Sequence, residues 1–134
     1  MAITTVNLFN LSGDTATLVS STYGTDLTRI PTGAAPVPFK QDISPYMIGA
    51  VAYNIGNIVT WIVLWTPDNR VTTRIVPAGA PVVWKDIGDK LCPDHADDLL
   101  TMDDGGTYKS SADLYPSRDG QNLSATISYA PPPN

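Results

Sequence analysis

The sequence contains no glutamate, a single cysteine, a single histidine and only eight basic residues. Every one of its thirteen acidic side chains is therefore an aspartate. Glutamate favours helices, whereas aspartate, threonine and serine favour turns, caps and strands, so this composition disfavours a helical fold. One cysteine excludes an internal disulfide. The basic residues are scattered along the chain, which argues against nucleic acid as a direct partner.

A chain of 134 residues with a net charge of -5 and 43% hydrophobic residues has the composition of one globular domain. The first residues, Met1-Ala2-Ile3-Thr4-Thr5, lack the basic and apolar regions of a secretory signal, which predicts no export by that route. The uncharged stretch from Met47 to Trp65 carries Asn54 and Asn57 in its middle and has no basic flank. We expect it to form two buried strands rather than a membrane span.

The two halves of the first 87 residues share a repeated sequence pattern. In each copy, Thr-Arg-Ile is followed in order by a Pro/Gly turn, Ala-Pro-Val, an aromatic residue, a lysine and Asp-Ile. The first copy of this pattern begins at Thr28-Arg29-Ile30 and the second at Thr73-Arg74-Ile75. The repeated units span residues 3–43 and 48–87. Two copies are too few for a solenoid, which needs at least three. The repeat therefore predicts two similar halves that pack face to face.

Each repeat reads as four short strands separated by turns of glycine, proline, asparagine and aspartate. The predicted strands are Ile3 to Leu11, Thr15 to Ser21, Asp26 to Ile30 and Val37 to Lys40, then Ile48 to Tyr53, Ile58 to Trp65, Val71 to Ile75 and Pro81 to Lys85. The segment from Ile58 to Trp65 is apolar on both faces, which predicts a central strand covered on each side.

The last third is rich in aspartate and predicts a different local structure. Residues 86–106 read as an acidic loop, and the early proline and acidic first turn of residues 93–101 predict a short helical turn there. Residues 122–129 alternate polar and apolar side chains, which predicts a strand with one solvated face. Residues 130–134 read as an extended, proline-rich arm. The expected fold is a single all-β domain, an antiparallel sandwich of jelly-roll or immunoglobulin-like type.

Two groups of residues are candidate chemical sites. Cys92 and His95 lie three residues apart, but one cysteine and one histidine are too few for a structural zinc site, so a packed cysteine at a helix start and a surface histidine are expected. For nucleophilic catalysis the pair would also need a third residue that orients the histidine and an oxyanion site, and the sequence indicates neither. The aspartates between Asp94 and Asp104 offer oxygen ligands for Ca²⁺ but lack EF-hand spacing, so a solvated acidic loop is the favoured interpretation and Ca²⁺ binding stays open. No catalytic residue, cofactor or metal ligand is predicted.

The aromatic residues and the arm supply the candidate binding residues. Trp61, Phe39 and Trp84 are expected in the core because aromatic side chains bury large areas. Trp65 lies beside the Pro67 turn, and we interpret it as an exposed anchor for a partner or a sugar ring. The three prolines of the arm are expected to contact a neighbouring subunit. The candidate partner-binding residues are Trp65, Pro131, Pro132 and Pro133.

The sequence resembles small β-rich virion proteins of tailed phages in how its apolar strands alternate with short turns. The segments that carry this resemblance are Asn54-Ile55-Gly56 and Val76-Pro77-Ala78-Gly79-Ala80. This resemblance implies a capsid decoration or accessory role in the virion, with capsid subunits or copies of this chain as partners. The expected function is thus a non-enzymatic structural protein of an assembly. The alternatives are a lectin-like carbohydrate-binding module with two related sites and, last, a small hydrolase using aspartates. The alternative locations are the cytoplasm or release without a signal peptide.

Overall fold

The computed structural model describes residues 2–22, 27–43, 48–118 and 120–133. Strands dominate these residues, together with one short helix. The strands are β1 Ala2–Leu11, β2 Ala16–Ser21, β3 Arg29–Ile30, β4 Phe39–Ile43, β5 Gly49–Ile55, β6 Val59–Trp65, β7 Arg70–Pro77, β8 Cys92–Pro93, β9 His95–Thr101, β10 Thr107–Ser117 and β11 Gly120–Ala130, and the helix α1 is Trp84–Gly88.

The strands form two sheets that pack against each other. The five-stranded sheet has the order β4-β1-β11-β10-β9, and the six-stranded sheet has the order β3-β2-β5-β6-β7-β8. Neighbouring strands are antiparallel except β1 and β11, which pair in parallel from Ile3 opposite Gly120 to Leu11 opposite Ser128. The predicted all-β sandwich is confirmed, and this parallel pair is an addition to the antiparallel pattern expected from the sequence.

The main core fills the space between the sheets. Trp61 and Trp65 point into it from β6, and Leu8, Leu123 and Ile127 meet them from the five-stranded sheet. Hydrogen bonds also cross this core: the Trp61 indole N–H donates to the Ser110 hydroxyl at 2.7 Å, and that hydroxyl lies 2.6 Å from the hydroxyl of Thr73. The expected core roles of Trp61 and Phe39 are confirmed, since Trp61 is fully buried and Phe39 packs against the same cluster.

A second apolar cluster covers the middle of the outer face of the six-stranded sheet. Ile62 and Leu64 alternate with the inward residues of β6 and meet Ile87 of α1, with Trp84 and Leu91 packed alongside. Trp84 and Ile87 are spaced three residues apart, which places them on one face of α1, and Leu91 follows the end of the helix. The prediction that β6 is a central strand covered on both sides is therefore confirmed, and the stretch from Met47 to Trp65 contains the β5–β6 hairpin. Within the described part of the chain, no helix has the length and apolarity to cross a membrane.

The repeat does not form twin structural units, so the prediction of two similar halves packed face to face is wrong. The first copy sends β1 and β4 to the five-stranded sheet and β2 and β3 to the other, whereas β5, β6 and β7 of the second copy all lie in the six-stranded sheet. Phe39-Lys40-Gln41 is a strand against β1, but the matching Trp84-Lys85-Asp86 is helical, so the predicted strand from Pro81 to Lys85 is also wrong. Phe39 and Trp84 belong to different apolar clusters.

The helical turn expected over residues 93–101 is also wrong, because His95–Thr101 is strand β9. Along β9 the side chains alternate: His95, Asp97 and Leu99 are exposed, while Ala96 and Asp98 face the other sheet. Pairing with β10, from Thr107 opposite Thr101 to Asp113 opposite His95, decides this conformation. The strand predicted at residues 122–129 is confirmed within β11.

Candidate functional site: the open face of the five-stranded sheet

The outer faces of the two sheets differ in how much of them the chain covers. Helix α1 and the residues beside it cover the middle of the six-stranded sheet, at β5 and β6, and leave Thr17 and Val19 of β2 exposed. On the five-stranded sheet, every described outward side chain is half-buried or exposed. We call the outward side chains of β4, β1, β11, β10 and β9 the open face. A sandwich needs only one buried face per sheet, so the open face is available to a partner.

The pairing registers place the open-face residues in rows across the strands. One row runs from Leu11 through Ser128 and Lys109 to Leu99, and the next runs from Phe9 through Thr126 and Ser111 to Asp97. The two central strands, β1 and β11, present only short polar or apolar side chains on this face. These residues are Ile3, Thr5, Asn7, Phe9, Leu11, Asn122, Ser124, Thr126 and Ser128. The centre of the open face therefore carries no charge.

Three exposed apolar side chains lie on the same face. Leu11, Leu99 and Tyr115 are 56%, 58% and 50% exposed, and they account for three of the seven large hydrophobic residues exposed in the described part of the chain. Leu11 and Leu99 stand at the two ends of one row, and Tyr115 lies opposite Asn122. Ser128 and Lys109 lie between Leu11 and Leu99, so the open face carries separate apolar side chains near its margins rather than one contiguous apolar patch.

The charged corner of the open face is built around His95. The Nδ1 atom of His95 lies 2.6 Å from a carboxylate oxygen of Asp113, and its Nε2 atom lies 2.7 Å from a carboxylate oxygen of Asp97. The hydrogen bond to Asp113, followed by that to Asp97, raises the pKa of His95 because both bonds favour the protonated ring. Because each ring nitrogen already has a carboxylate partner, the arrangement favours a protonated His95 and leaves no ring nitrogen free to act as a base toward a substrate.

The structure does not bring Cys92 and His95 into a common site. Cys92 is exposed, which corrects the expectation of a packed cysteine, and its thiol donates to the carbonyl of Lys90 at 3.5 Å. His95 is on the surface as expected. Across residues 2–22, 27–43, 48–118 and 120–133, no group of three or more histidine, cysteine or acidic side chains is placed to hold a metal ion. Asp98, one of the aspartates considered for Ca²⁺, instead accepts the backbone N–H of Ile75.

The interpretation of Trp65 as an exposed anchor is wrong, because its side chain is fully buried between the sheets. β6 is a central strand, and Gly49 on β5 leaves room for the indole: a β-carbon at Gly49 would overlap the Trp65 ring. The other predicted contact residues, Pro131, Pro132 and Pro133, are exposed. Pro132 also lies against the chain's own turn, since a β-carbon added to Gly105 would sit 3.5 Å from the Cβ of Pro132.

Sequence reasoning missed strand β10, which supplies Asp113, Lys109 and Tyr115 to the open face. Its sequence signal was present, because small or apolar residues at 108, 110, 112 and 114 alternate with the polar Lys109, Ser111 and Asp113. The pairing of His95 with Asp113 needs the register of two strands, which a single sequence does not reveal.

The sequence matches no model of a known protein family, and no curated protein is significantly similar to it. Its function is therefore inferred from the chemistry of the open face.

Proposed function

We propose that this protein is a non-enzymatic structural component of a larger assembly and that it binds a neighbouring protein subunit through the open face. The observation that carries the proposal is the difference between the centres of the two outer faces: the chain itself covers the centre of the six-stranded sheet, whereas the open face is uncovered and uncharged at its centre and carries the exposed Leu11, Leu99 and Tyr115. The resemblance to small virion proteins of tailed phages makes a capsid decoration or accessory role the proposed setting.

The size of the open face suits such a contact. Five strands spaced about 4.8 Å apart, with about nine residues rising roughly 3.3 Å each, give a surface of roughly 24 by 30 Å, or about 700 Å². Stable protein interfaces bury about 800 Å² on each partner. Short serine, threonine and asparagine side chains also let a partner's backbone approach closely and lose little conformational entropy when they are covered.

The lectin-like alternative rested on two equivalent sites, one in each copy of the repeat. The first copy divides its strands between the sheets and the second does not, so the fold provides no pair of equivalent surfaces. Binding of a protein partner needs only the single open face that the fold provides, whereas the lectin-like function needs two equivalent sites.

A charge placed at the centre of the open face tests the proposal. Thr126→Glu introduces a carboxylate between Phe9 and Ser111, and burying it unpaired in an interface is costly. We expect binding to the neighbouring subunit to fall at least about tenfold, measured by sedimentation of the protein with the particle or oligomer from which it is isolated.

Thr17→Glu is the matched control, because Thr17 is an exposed threonine on β2 of the other sheet. It should leave binding unchanged, and both variants should unfold within about 0.5 kcal/mol of the parent in urea. Equal binding by both variants, or a native source in which the chain is only a free monomer, would contradict the proposal.

A further inference from the structure

Strand β4 forms one edge of the five-stranded sheet, and β1 is the only strand that pairs with it in the described part of the chain. The other edge strands are short or lie against the other sheet. β3 and β8 have two residues each, and β9 lies beside β7, where Asp98 accepts the Ile75 N–H. β4 spans Phe39–Ile43 and contains no proline. It is therefore the edge that can accept an added strand.

The backbone groups that β4 directs away from β1 belong to Lys40 and Asp42. The amide nitrogen and the carbonyl of Ile3 are the atoms nearest to the position that a β-carbon on the first residue of β11 would take, so the peptide groups of Ile3 face β11. Successive residues of a strand direct their N–H and C=O to opposite sides, so those of Thr4 face β4. Thr4 lies opposite Gln41, which therefore bonds to β1. No described loop residue makes a backbone hydrogen bond to Lys40 or Asp42.

The side chains of Lys40 and Asp42 make this edge self-complementary. Both are exposed and stand on the open face, opposite Thr5 and Ile3 of β1. Neither makes an ion pair with a residue in the described ranges. Because they flank Gln41, an antiparallel copy of β4 centred on Gln41 places each lysine directly opposite the aspartate of the other copy. Opposite charges at directly opposed positions stabilise an antiparallel pair.

Neighbouring registers of the same two strands bring like charges together. An antiparallel pair centred on Lys40 places lysine opposite lysine, and one centred on Asp42 places aspartate opposite aspartate. A parallel pair in register also places each charge beside its own kind. Like charges directly opposite each other destabilise a strand pair. The charge pattern of β4 therefore favours one register, the antiparallel pair centred on Gln41.

We propose that a second copy of this chain pairs with the β4 edge, forming an antiparallel dimer whose two-fold axis passes through Gln41. Lys40 of one copy exchanges both backbone hydrogen bonds with Asp42 of the other, and the symmetry repeats this exchange. The two five-stranded sheets then form one ten-stranded sheet with a continuous open face. The contact is short and its ion pairs are exposed, so the isolated dimer is weak, with a dissociation constant of about 0.1 to 1 mM.

This inference goes beyond the proposed function, because it concerns an edge of the sheet and a second copy of the chain. It is measured on the isolated protein, whereas binding through the open face is measured with the native assembly. Thr126 lies on β11, which β1 separates from β4. Thr126→Glu should therefore dimerise as the parent does, and failure of one proposal is distinguishable from failure of the other.

Exchange of the two charges tests the register. Lys40→Asp alone sets aspartate opposite aspartate and Asp42→Lys alone sets lysine opposite lysine, so each should dimerise at least about tenfold more weakly than the parent in sedimentation equilibrium up to about 1 mM. An equimolar mixture of the two variants restores both opposite-charge pairs and should sediment as a dimer with a dissociation constant within about threefold of the parent's. Lys109→Asp makes the same charge change on β10 of the same face and should leave dimerisation unchanged.

A ¹⁵N–¹H NMR dilution series of the parent locates the contact. The amide resonances of Lys40 and Asp42 should shift with protein concentration, because their N–H groups gain acceptors in the dimer. A parent protein that stays monomeric at about 1 mM would overturn the proposal. It would also be overturned by single variants that dimerise as tightly as the parent, by a mixture that does not restore the dimer, or by shifts confined to residues outside β4.

Discussion

At the scale of single residues, His95 shows how neighbours set the chemistry of an exposed side chain. It is the chain's only histidine, and Asp113 on β10 and Asp97 on its own strand each occupy one of its ring nitrogens. A protonated ring donates to both carboxylates, whereas a neutral ring donates to only one. The charged form is therefore favoured, and the stabilisation that it gives is small because all three groups are largely solvated.

The sign of its pH dependence follows from the raised pKa of His95. The stabilisation is fully present below the pKa of an unfolded histidine, about 6.5, and is lost as pH rises through the higher pKa of the folded protein. In an NMR titration of the single imidazole we expect a pKa above that of a free histidine. Asp113→Asn should lower it more than Asp97→Asn does, because the bond to Asp113 is the largest cause of the shift. An unperturbed midpoint in the parent protein would contradict the described geometry.

At the scale of elements, the parallel pairing of β1 with β11 holds the first and last long strands of the described chain at the centre of one sheet. It depends on Gly120, whose φ of 149° is in the region that other residues avoid. A β-carbon at Gly120 would also overlap the carbonyl of Ile3, which is backbone and cannot rotate away. A single methyl group at the start of this pairing is therefore expected to be strongly destabilising.

We expect Gly120→Ala to destabilise the protein by about 2 kcal/mol or more, measured by urea unfolding. Gly79→Ala is the matched control, because Gly79 also has a positive φ, 88°, but nothing lies within 4 Å of its added β-carbon. The control should cost about 1 kcal/mol, the strain of the backbone alone. Equal losses in the two variants would show that the contact with Ile3 has no energetic role.

Elements with a clean local pattern were predictable from the sequence, and elements decided by distant partners were not. The apolar run of β6 and the alternation in β11 specify strands on their own. The acidic segment at His95–Thr101 has the composition of a helix start, but it lies beside β10 and pairs with it. Trp84-Lys85-Asp86 and Phe39-Lys40-Gln41 share a sequence skeleton and adopt different structures because one covers the outer face of β6 and the other pairs with β1. The open face could not be predicted, because it depends on the order of strands in the sheet.

At the scale of the whole molecule, the exposed arm leaves the sandwich beside the row of the open face that contains Leu11 and Leu99. β11 lies at the centre of that face, and its Ser128 belongs to the row that begins at Leu11 and ends at Leu99. Two residues, Tyr129 and Ala130, separate Ser128 from the exposed prolines 131–133. A partner seated on the open face would therefore meet the arm at the same edge, so face and arm are expected to act as one contact.

Deletion of residues 131–134 tests this joint contact. Because the prolines are exposed and the described contact of the arm with its own chain is at Gly105, unfolding in urea should change by no more than about 0.5 kcal/mol. Sedimentation with the native assembly should show binding reduced several-fold, since a stiff proline-rich segment loses little entropy when it binds. Replacing the three prolines with serines keeps the length but not the stiffness and should give an intermediate loss. Undiminished assembly of the deleted protein would limit the contact to the open face, whereas a large loss of stability would mean that the arm belongs to the fold rather than to the partner.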